Sequence, residues 1–497
     1  MGENKHYQGS STEKIQGNNV GIFSLVACIV FYVSLYGLGL WVSQYELGNI
    51  KGRAAELVQS LSSDSKKFRN GEVAEIQHKK YALRPVFWKP KSIFVSLLGK
   101  RIYFQQNIEL IKKTIESEKV NLKDINLQKT NLVNADLSES QLSGADLSLA
   151  DLSLANLAKA NMRNVTLLGS NLTGANLASA NLEEVHFQKS GLDPQRTVLV
   201  ETNFSGANLR GINLTNNKVA YLLFSGADLS TSNLSRTQFQ NSSFKDANLS
   251  DTNLDLTEFK DSDLSRANFK RASFKYAKCN GIHAKNVNFT EVLLHLSDFT
   301  NSVMDNSNFY KAYLWKTKFK GARLKNANFN ETGLGDVSFK AADLPGANFK
   351  KTNLVNVNLE GANLEKTDFR GAILRLSNFR HAKLEGANFR KASFYEVELA
   401  YAVFKNADLQ EAVFNATGFE GANFKDADLY AANLYGATLS GVNFSGANLA
   451  SADLRKTDFT CEQVKQALHN EKTKFPGSIK VLLEPRGGIS CQKTKKD

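Results

Sequence analysis

Catalytic signatures are missing from this 497-residue chain. It contains no G-x-S-x-G elbow, no phosphate loop and no dinucleotide fingerprint. The seven histidines, His6, His78, His186, His283, His295, His381 and His469, are scattered without metal-ligand spacing. The sequence therefore implies no enzyme, no cofactor and no metal site. Cysteine is scarce too: Cys28, Cys279, Cys461 and Cys491 make no disulfide framework, although the last two are free to pair. Negative charge is also in short supply. The chain carries +13 overall, but residues 1–120 hold +7 of this (17 basic, 10 acidic) and residues 460–497 hold +4 (8 basic, 4 acidic). The long middle is left nearly neutral, at +2 from 37 basic and 35 acidic residues.

The periods of ordinary secondary structure are absent from that middle. A helix needs apolar residues at 3.6 spacing and a strand at 2.0. Here Phe269, Phe289, Phe309, Phe329, Phe349, Phe369 and Phe389 recur at 20. Inside that interval, from Leu199 to Phe459, almost every fifth residue is Leu or Phe, with a small residue two positions before it. The motif reads A-(D/N)-(L/F)-x-x, as in Ala247-Asn248-Leu249 and Ala447-Asn448-Leu449. A strict five fits a short straight segment followed by a corner, and four such segments close a square. Repetition of this length marks a solenoid. The run 199–459 gives 53 pentads and an earlier run, Leu122 to Leu192, gives 15, together 17 coils. With rungs ~4.8 Å apart, the rod would be roughly 80 Å long. The central Leu or Phe and the small residue before it should point inward, and the other three positions outward.

Repeats such as Ala135-Asp136-Leu137-Ser138 and Ala347-Asn348-Phe349-Lys350 resemble those of the pentapeptide-repeat family, and the resemblance covers residues 121–459. It implies an all-β solenoid, a right-handed quadrilateral β-helix, and says almost nothing of activity. Some members of that family are acidic rods that resemble duplex DNA and occupy the DNA-binding groove of gyrase. The near-neutral repeats here lack the charge such mimicry requires, which disfavours a gyrase inhibitor. Some right-handed β-helices cleave polysaccharides with wall carboxylates, but the Asp residues of this chain sit in the repeat's own Asp/Asn slot and are structural by default.

Two irregularities interrupt the pattern. The step from Leu192 to Leu199 is seven, across Gly191-Leu192-Asp193-Pro194-Gln195, which predicts a bulged loop of two extra residues where the coil resets. Cys279 and Ala284 occupy central positions where Leu or Phe is expected, implying looser packing and a buried structural cysteine.

Ahead of the repeats, residues 20–42 run for 23 positions without a charge, long enough at 1.5 Å per residue to cross a bilayer as a single helix. No clear cleavage site follows Trp41, so an anchor is favoured over a signal peptide. Lys5 and Lys14 precede the span; Lys51 and Arg53 follow it, then Lys66, Lys67 and Arg69. This tilts the positive-inside count slightly toward a cytoplasmic rod. Between span and rod lie Lys79, Lys80, Arg84, Lys89, Lys91, Lys100 and Arg101, interleaved with Tyr81, Phe87, Trp88, Phe94 and Tyr103. That composition suits an anionic lipid surface; a nucleic-acid backbone and a small adapter with an ordinary basic surface are the alternatives. Nucleic acid is the least favoured of the three.

The expected organisation is a polar tail at 1–19, a transmembrane helix at 20–42 and a basic adapter at 43–120 with a capping helix near 104–118. Repeats follow at 121–192 and 199–459, separated by a register-break loop at 193–198. A C-terminal cap at 460–485 includes a helix near Cys461–Asn470, and a disordered tail fills 486–497. Ile479, Val481, Leu482 and Leu483 complete the cap or serve a homodimer contact.

Read by columns, the position after the central residue gives Tyr310, Asn330, Lys350, Arg370 and Arg390 on one face and Lys320, Lys340, Glu360 and Arg380 half a turn away. Lys350, Arg370 and Arg390 would stand one coil apart with no acid in their own column, an arrangement that needs a neighbouring acid or a bound anion. Asp368 is placed to give some relief. Trp315, with Tyr310 and Tyr313 and flanked by Lys311 and Lys316, is the candidate aromatic contact. These features favour a membrane-anchored scaffold that binds a protein or anionic ligand along its rod. A spacer without recognition is the alternative.

Overall fold

The computed structural model describes residues 122–188, 197–483 and 489–493, together with Lys112, Lys113 and Glu116. The transmembrane span expected at 20–42, the basic segment from Lys79 to Arg101 and most of the expected N-terminal capping helix lie outside the described residues. Among the described residues, no helix is long and apolar enough to cross a membrane.

Each pentad folds for a local reason. In many pentads the central residue's carbonyl accepts from the amide three residues on, as from Ala247 N to Phe244 O (3.0 Å), closing a tight turn. The third residue of that turn, Asp246, lies at φ 60°, and the same corner recurs every five residues at Asp251, Leu256, Asp261 and Arg266. A non-glycine residue in this left-handed region costs about 1 kcal/mol or more. The Asp/Asn slot offsets that cost. Its side-chain oxygen accepts from the amide two residues later, as from Lys350 N to Asn348 Oδ1 (3.0 Å), and its amide nitrogen donates to the same slot one coil back. Asn348 donates to Asn328 (3.0 Å) and Asn328 to Asn308 (2.8 Å), forming an amide ladder along one face.

Corners joined by straight segments bring the chain back every 20 residues. On one face the rungs pair in parallel as Asn328↔Asn348↔Asp368↔Asn388, and the other faces repeat the same step. Where pairing is fullest, three-residue strands form. On one face these are β1 (Lys218–Ala220), β2 (Gln238–Gln240) and β3 (Glu258–Lys260). A seven-stranded parallel sheet on the adjacent face contains β4 (Leu293–His295), β5 (Tyr313–Trp315), β6 (Gly333–Gly335) and β7 (Asn353–Val355). It continues through β8 (Ile373–Arg375), β9 (Ser393–Tyr395) and β10 (Val413–Asn415).

The inward residues fill the square. Phe269 through Phe389 form the expected column, all fully buried. Ring centroids are 5.3 Å apart at its start and 4.6 Å at its end, with the last pair tilted by only 2°. A second column, Phe299, Phe319 and Phe339, rises on the opposite face and meets the first edge-on, as at Phe309–Phe319 (5.8 Å, 82°). Offset stacks and edge-on contacts are the arrangements that the ring quadrupole favours. Where the small inward slot holds Thr, its hydroxyl donates to a backbone carbonyl, of the preceding coil as from Thr332 to Phe309 O (2.7 Å) or of its own turn as from Thr367 to Leu364 O (2.7 Å). Cys279 and Ala284 are fully buried at their central positions, and Phe274 of the same coil lies 6.3 Å from both Phe259 and Phe299, the rings on either side of the small cysteine. Burial pushes the Cys279 thiol well above its usual pKa.

The break between the two repeat runs is larger than the sequence step suggests. Asn171 pairs with Val198, Asn176 with Asn203 and Asn181 with Asn208, each 27 residues on instead of 20. Seven residues are therefore inserted, not two, and Leu199 is the residue that stacks next to Leu172. Buried polar groups stitch the joint: Thr197 Oγ1 reaches Phe187 O (2.7 Å), and Gln188 Nε2 donates to Thr215 O (2.8 Å).

The C-terminal end is closed by α1 (Cys461–Gln466), shorter than the expected 461–470. It begins with a capping box: Thr460 N donates to Gln463 Oε1 (2.9 Å), while Thr460 Oγ1 accepts from Gln463 N (3.4 Å). Gln463 then turns inward, and its Nε2 donates to Leu439 O (3.0 Å) and Val442 O (3.1 Å) of the last coil. The helix ends early because Leu468 and Lys474 return to the ladder as rungs on Asn448 and Asp453. Beyond it, β11 (Ile479–Leu483) pairs antiparallel with β12 (Ile489–Lys493), so part of the tail expected to be disordered is a strand. Cys491 of β12 is disulfide-bonded to Cys461 of α1, clipping the hairpin to the cap.

Candidate interaction surface

The outward positions present side chains at fixed intervals of about 4.8 Å along the axis, held by a backbone whose amides bond from coil to coil. Lys350, Arg370 and Arg390 do stand in one column, because their neighbours Asn348, Asp368 and Asn388 are consecutive rungs. The column is less bare than its spacing suggests. Arg370 grips Asp368, two residues back in the Asp/Asn slot, through Nε–Oδ1 (2.9 Å) and Nη2–Oδ2 (2.6 Å). Burial raises the Asp368 pKa, but the Arg370 hydrogen bonds override this and leave it below the usual carboxylate value. Arg390 and Lys391 share Glu411 from the next coil, each at 3.5 Å. On the opposite column Lys340 pairs with Glu360 (3.0 Å). Among the described residues Lys320, Lys350 and Arg380 have no salt-bridge partner within 4.0 Å. The basic columns therefore combine paired and unpaired cations and form no continuous anion stripe.

Tyr313 and Trp315 lie on β5, whereas Tyr310 sits at the preceding corner, where Lys311 lies 5.2 Å above its ring. Tyr310 and Trp315 thus face different directions and do not form one cluster. β5 pairs with β6 so that Tyr313 lies opposite Gly333 and Trp315 opposite Gly335. The missing side chains let both rings lie along the wall: a Cβ on Gly335 would stand 2.6 Å from Trp315 Cε3. On its other side Tyr313 meets the His295 ring at 5.5 Å.

Sequence columns read only at the position after the central residue miss the next column over. There Leu256, Tyr276 and Leu296 occupy one corner on three consecutive coils: Leu256 N donates to Lys275 O (2.7 Å), Tyr276 N to His295 O (2.7 Å) and Leu296 N to Trp315 O (2.8 Å). With Tyr313 and Trp315 they make a contiguous apolar patch, each residue between 38 % and 55 % exposed. The same 20-residue spacing, applied to that column, would have revealed it.

Among the described residues no group of three or more His, Cys, Asp or Glu is placed to hold a metal ion.

Comparison with known proteins agrees with the fold. Models of the pentapeptide repeat region match residues 293–369 and 316–389, and models of pentapeptide repeats in eight copies match seven segments between 118 and 460. No curated protein matches in sequence. Among solved structures the chain is similar to HetL, a pentapeptide repeat protein involved in heterocyst differentiation regulation in the cyanobacterium Nostoc sp. strain PCC 7120, with 25 % identity and a TM-score of 0.26 over 49 % of this chain and 89 % of HetL. It is also similar to QnrB1, a plasmid-mediated fluoroquinolone resistance protein, with 23 % identity and a TM-score of 0.19 over 36 % of this chain and 83 % of that one. A third is a pentapeptide repeat protein of the Arabidopsis thaliana thylakoid lumen, with 18 % identity and a TM-score of 0.10 over 30 % and 66 % of the two chains. With its parallel solenoid of five-residue rungs and these matches along most of the repeats, the chain belongs to the pentapeptide-repeat family.

Proposed function

We propose that this chain is a non-enzymatic scaffold, anchored in a bilayer by residues 20–42, whose rod offers a pre-ordered surface to a protein partner. The observation that carries this reading is the rod wall itself. Its side chains stand on a backbone paired coil to coil and backed by a stacked aromatic core, so little conformational entropy is lost on docking. The unpaired amines of Lys320 and Lys350 and the exposed rings of Tyr313 and Trp315 are the groups available for contact.

The C-terminal disulfide bears on the compartment. Cys461 and Cys491 are joined, and the free Cys279 is buried. Disulfides persist in oxidising compartments, which favours a rod on the non-cytoplasmic side and outweighs the small positive-inside tilt.

The test is proximity labelling in native cells with a C-terminal tag on the full chain. A scaffold predicts a few reproducible neighbours, diminished when Lys350, Arg370 and Arg390 are together replaced by Glu. A diffuse set of neighbours that ignores the replacement would favour a spacer.

A further inference from the structure

Among the described residues several bulky apolar side chains are exposed at corners of the rod, and on three consecutive coils they line up. Leu256, Tyr276 and Leu296 sit at corners with φ of 61°, 58° and 53°, a region that bulky apolar residues occupy only with strain. They are also exposed to water. Asn, Asp, Lys or Gly fill most other corners of the rod, and any of them would serve the turn better. Three consecutive coils instead place apolar side chains there, and the next rung adds Trp315 and Tyr313, laid flat where Gly335 and Gly333 leave room. At about 4.8 Å per coil the patch extends roughly 15 Å along the axis. Exposed clusters of this kind mark interaction sites, and Trp and Tyr are the side chains that most often dominate binding energy.

Charge around the patch selects among occupants. The coils that carry the patch, residues 251–320, hold eleven Lys or Arg and eight acids, an excess of three. Ion pairs absorb Arg271, Lys278, Lys311 and Lys318. Among the described residues the Lys275 ammonium has no salt-bridge partner within 4.0 Å, although its backbone N–H donates to Asp255 (2.9 Å), and the Lys316 amine lies over the Trp315 ring (5.6 Å). Lys275 and Lys316 directly adjoin Tyr276 and Trp315 in the chain.

The geometry points to a docking site for an acidic protein segment that lays one or two apolar side chains across Tyr276, Leu296 and Trp315 while its carboxylates meet Lys275 and Lys316. The assignment rests on the scaffold reading above and names the kind of partner. Its test is a displayed library of random 12-residue peptides, panned on the full-length protein in detergent micelles and in parallel on Trp315→Ala and on the double variant Lys275→Glu/Lys316→Glu. All three side chains are exposed, and unchanged melting curves confirm that each variant folds. We expect selected peptides rich in Asp and Glu beside an aliphatic or aromatic residue. Their affinity should fall roughly 30-fold with Trp315→Ala and lose most of its salt dependence with the double variant. Peptides without acidic enrichment, or binding indifferent to Trp315→Ala, would overturn the assignment. So would a surface that retains sulfated oligosaccharides in a Trp315-dependent way but no peptide. If native neighbours persist in cells while peptide binding ignores the patch, this site falls and the scaffold stands.

Discussion

Replacing Phe329 by Ala tests the idea that the core is a one-dimensional stack. The ring is fully buried. It stacks on Phe309 at 4.7 Å and on Phe349 at 4.8 Å, and meets Phe339 edge-on at 5.5 Å and Phe319 at 6.4 Å. Truncation of a buried Phe costs about 3–5 kcal/mol, and four ring contacts on two faces place this site toward the upper end. In a solenoid each coil touches only its neighbours, so the loss should stay local. Hydrogen exchange read residue by residue is the assay. The amides that bond across the site, Phe309 N to Asn328 O and Phe329 N to Asn348 O, should exchange roughly three orders of magnitude faster or more. Amides near Leu434 and Leu449, several coils away, should be unchanged. A uniform loss of protection along the rod, or a local change below tenfold, would refute the stacked-coil account.

Four further outcomes follow from particular contacts. Gly335→Ala introduces a Cβ 2.6 Å from Trp315 and should lift the indole from the wall; in a Trp41→Phe/Trp88→Phe background, Trp315 emission should shift to the red, and an unchanged spectrum would contradict the glycine footing. The Cys279 thiol, its pKa raised by burial, should resist iodoacetamide at pH 8 in the folded protein and react fully once denatured, which mass spectrometry reads directly. Asp368 has a depressed pKa in the fold, so its contribution to stability is present above its unfolded value and fades as pH falls through the lower folded value. Asp368→Asn should therefore lower the melting temperature at pH 7 and lower it progressively less as pH falls below the ordinary carboxylate range, whereas an equal effect at every pH would remove the Arg370 pair as its cause. For the cap, reduction of Cys461–Cys491 releases a 30-residue link and should cost about 2–4 kcal/mol, seen as faster exchange in β11 and β12 with the central coils unaffected.

The architecture was legible because the core repeats in one dimension. Seven Phe at a single interval admit few explanations, and the square coil with its stacked column is what the structure shows. What sequence spacing hid has local causes. Leu192 continues the five-residue count from Phe187, so it passes for a repeat position, and only the pairing of Asn171 with Val198 shows that seven residues are inserted. The basic column looked unopposed because its acids lie in other columns: Asp368 in the Asp/Asn slot and Glu411 at the corner of the next coil. The cap helix ends short of Asn470 because Leu468 rejoins the ladder on Asn448, a pairing that no sequence spacing announces. Tyr310 was grouped with Trp315 by proximity in sequence, although a corner separates their directions. The apolar corner of Leu256, Tyr276 and Leu296 obeys the same 20-residue rule as the Phe column and lay one position beyond the columns considered.

Recognition and spacing make opposite demands on the rod, and one comparison separates them. Deleting residues 421–440 removes one full coil without touching the candidate surfaces, whereas Trp315→Ala combined with the Lys350, Arg370 and Arg390 reversals alters the surface without altering length. Proximity labelling of both variants in native cells, with the C-terminal tag, is the decisive measurement. A recognition scaffold predicts that the shortened rod keeps its neighbours and the altered surface loses them. Neighbours that survive the surface changes but are lost when one coil is removed would contradict the account and make the rod a spacer.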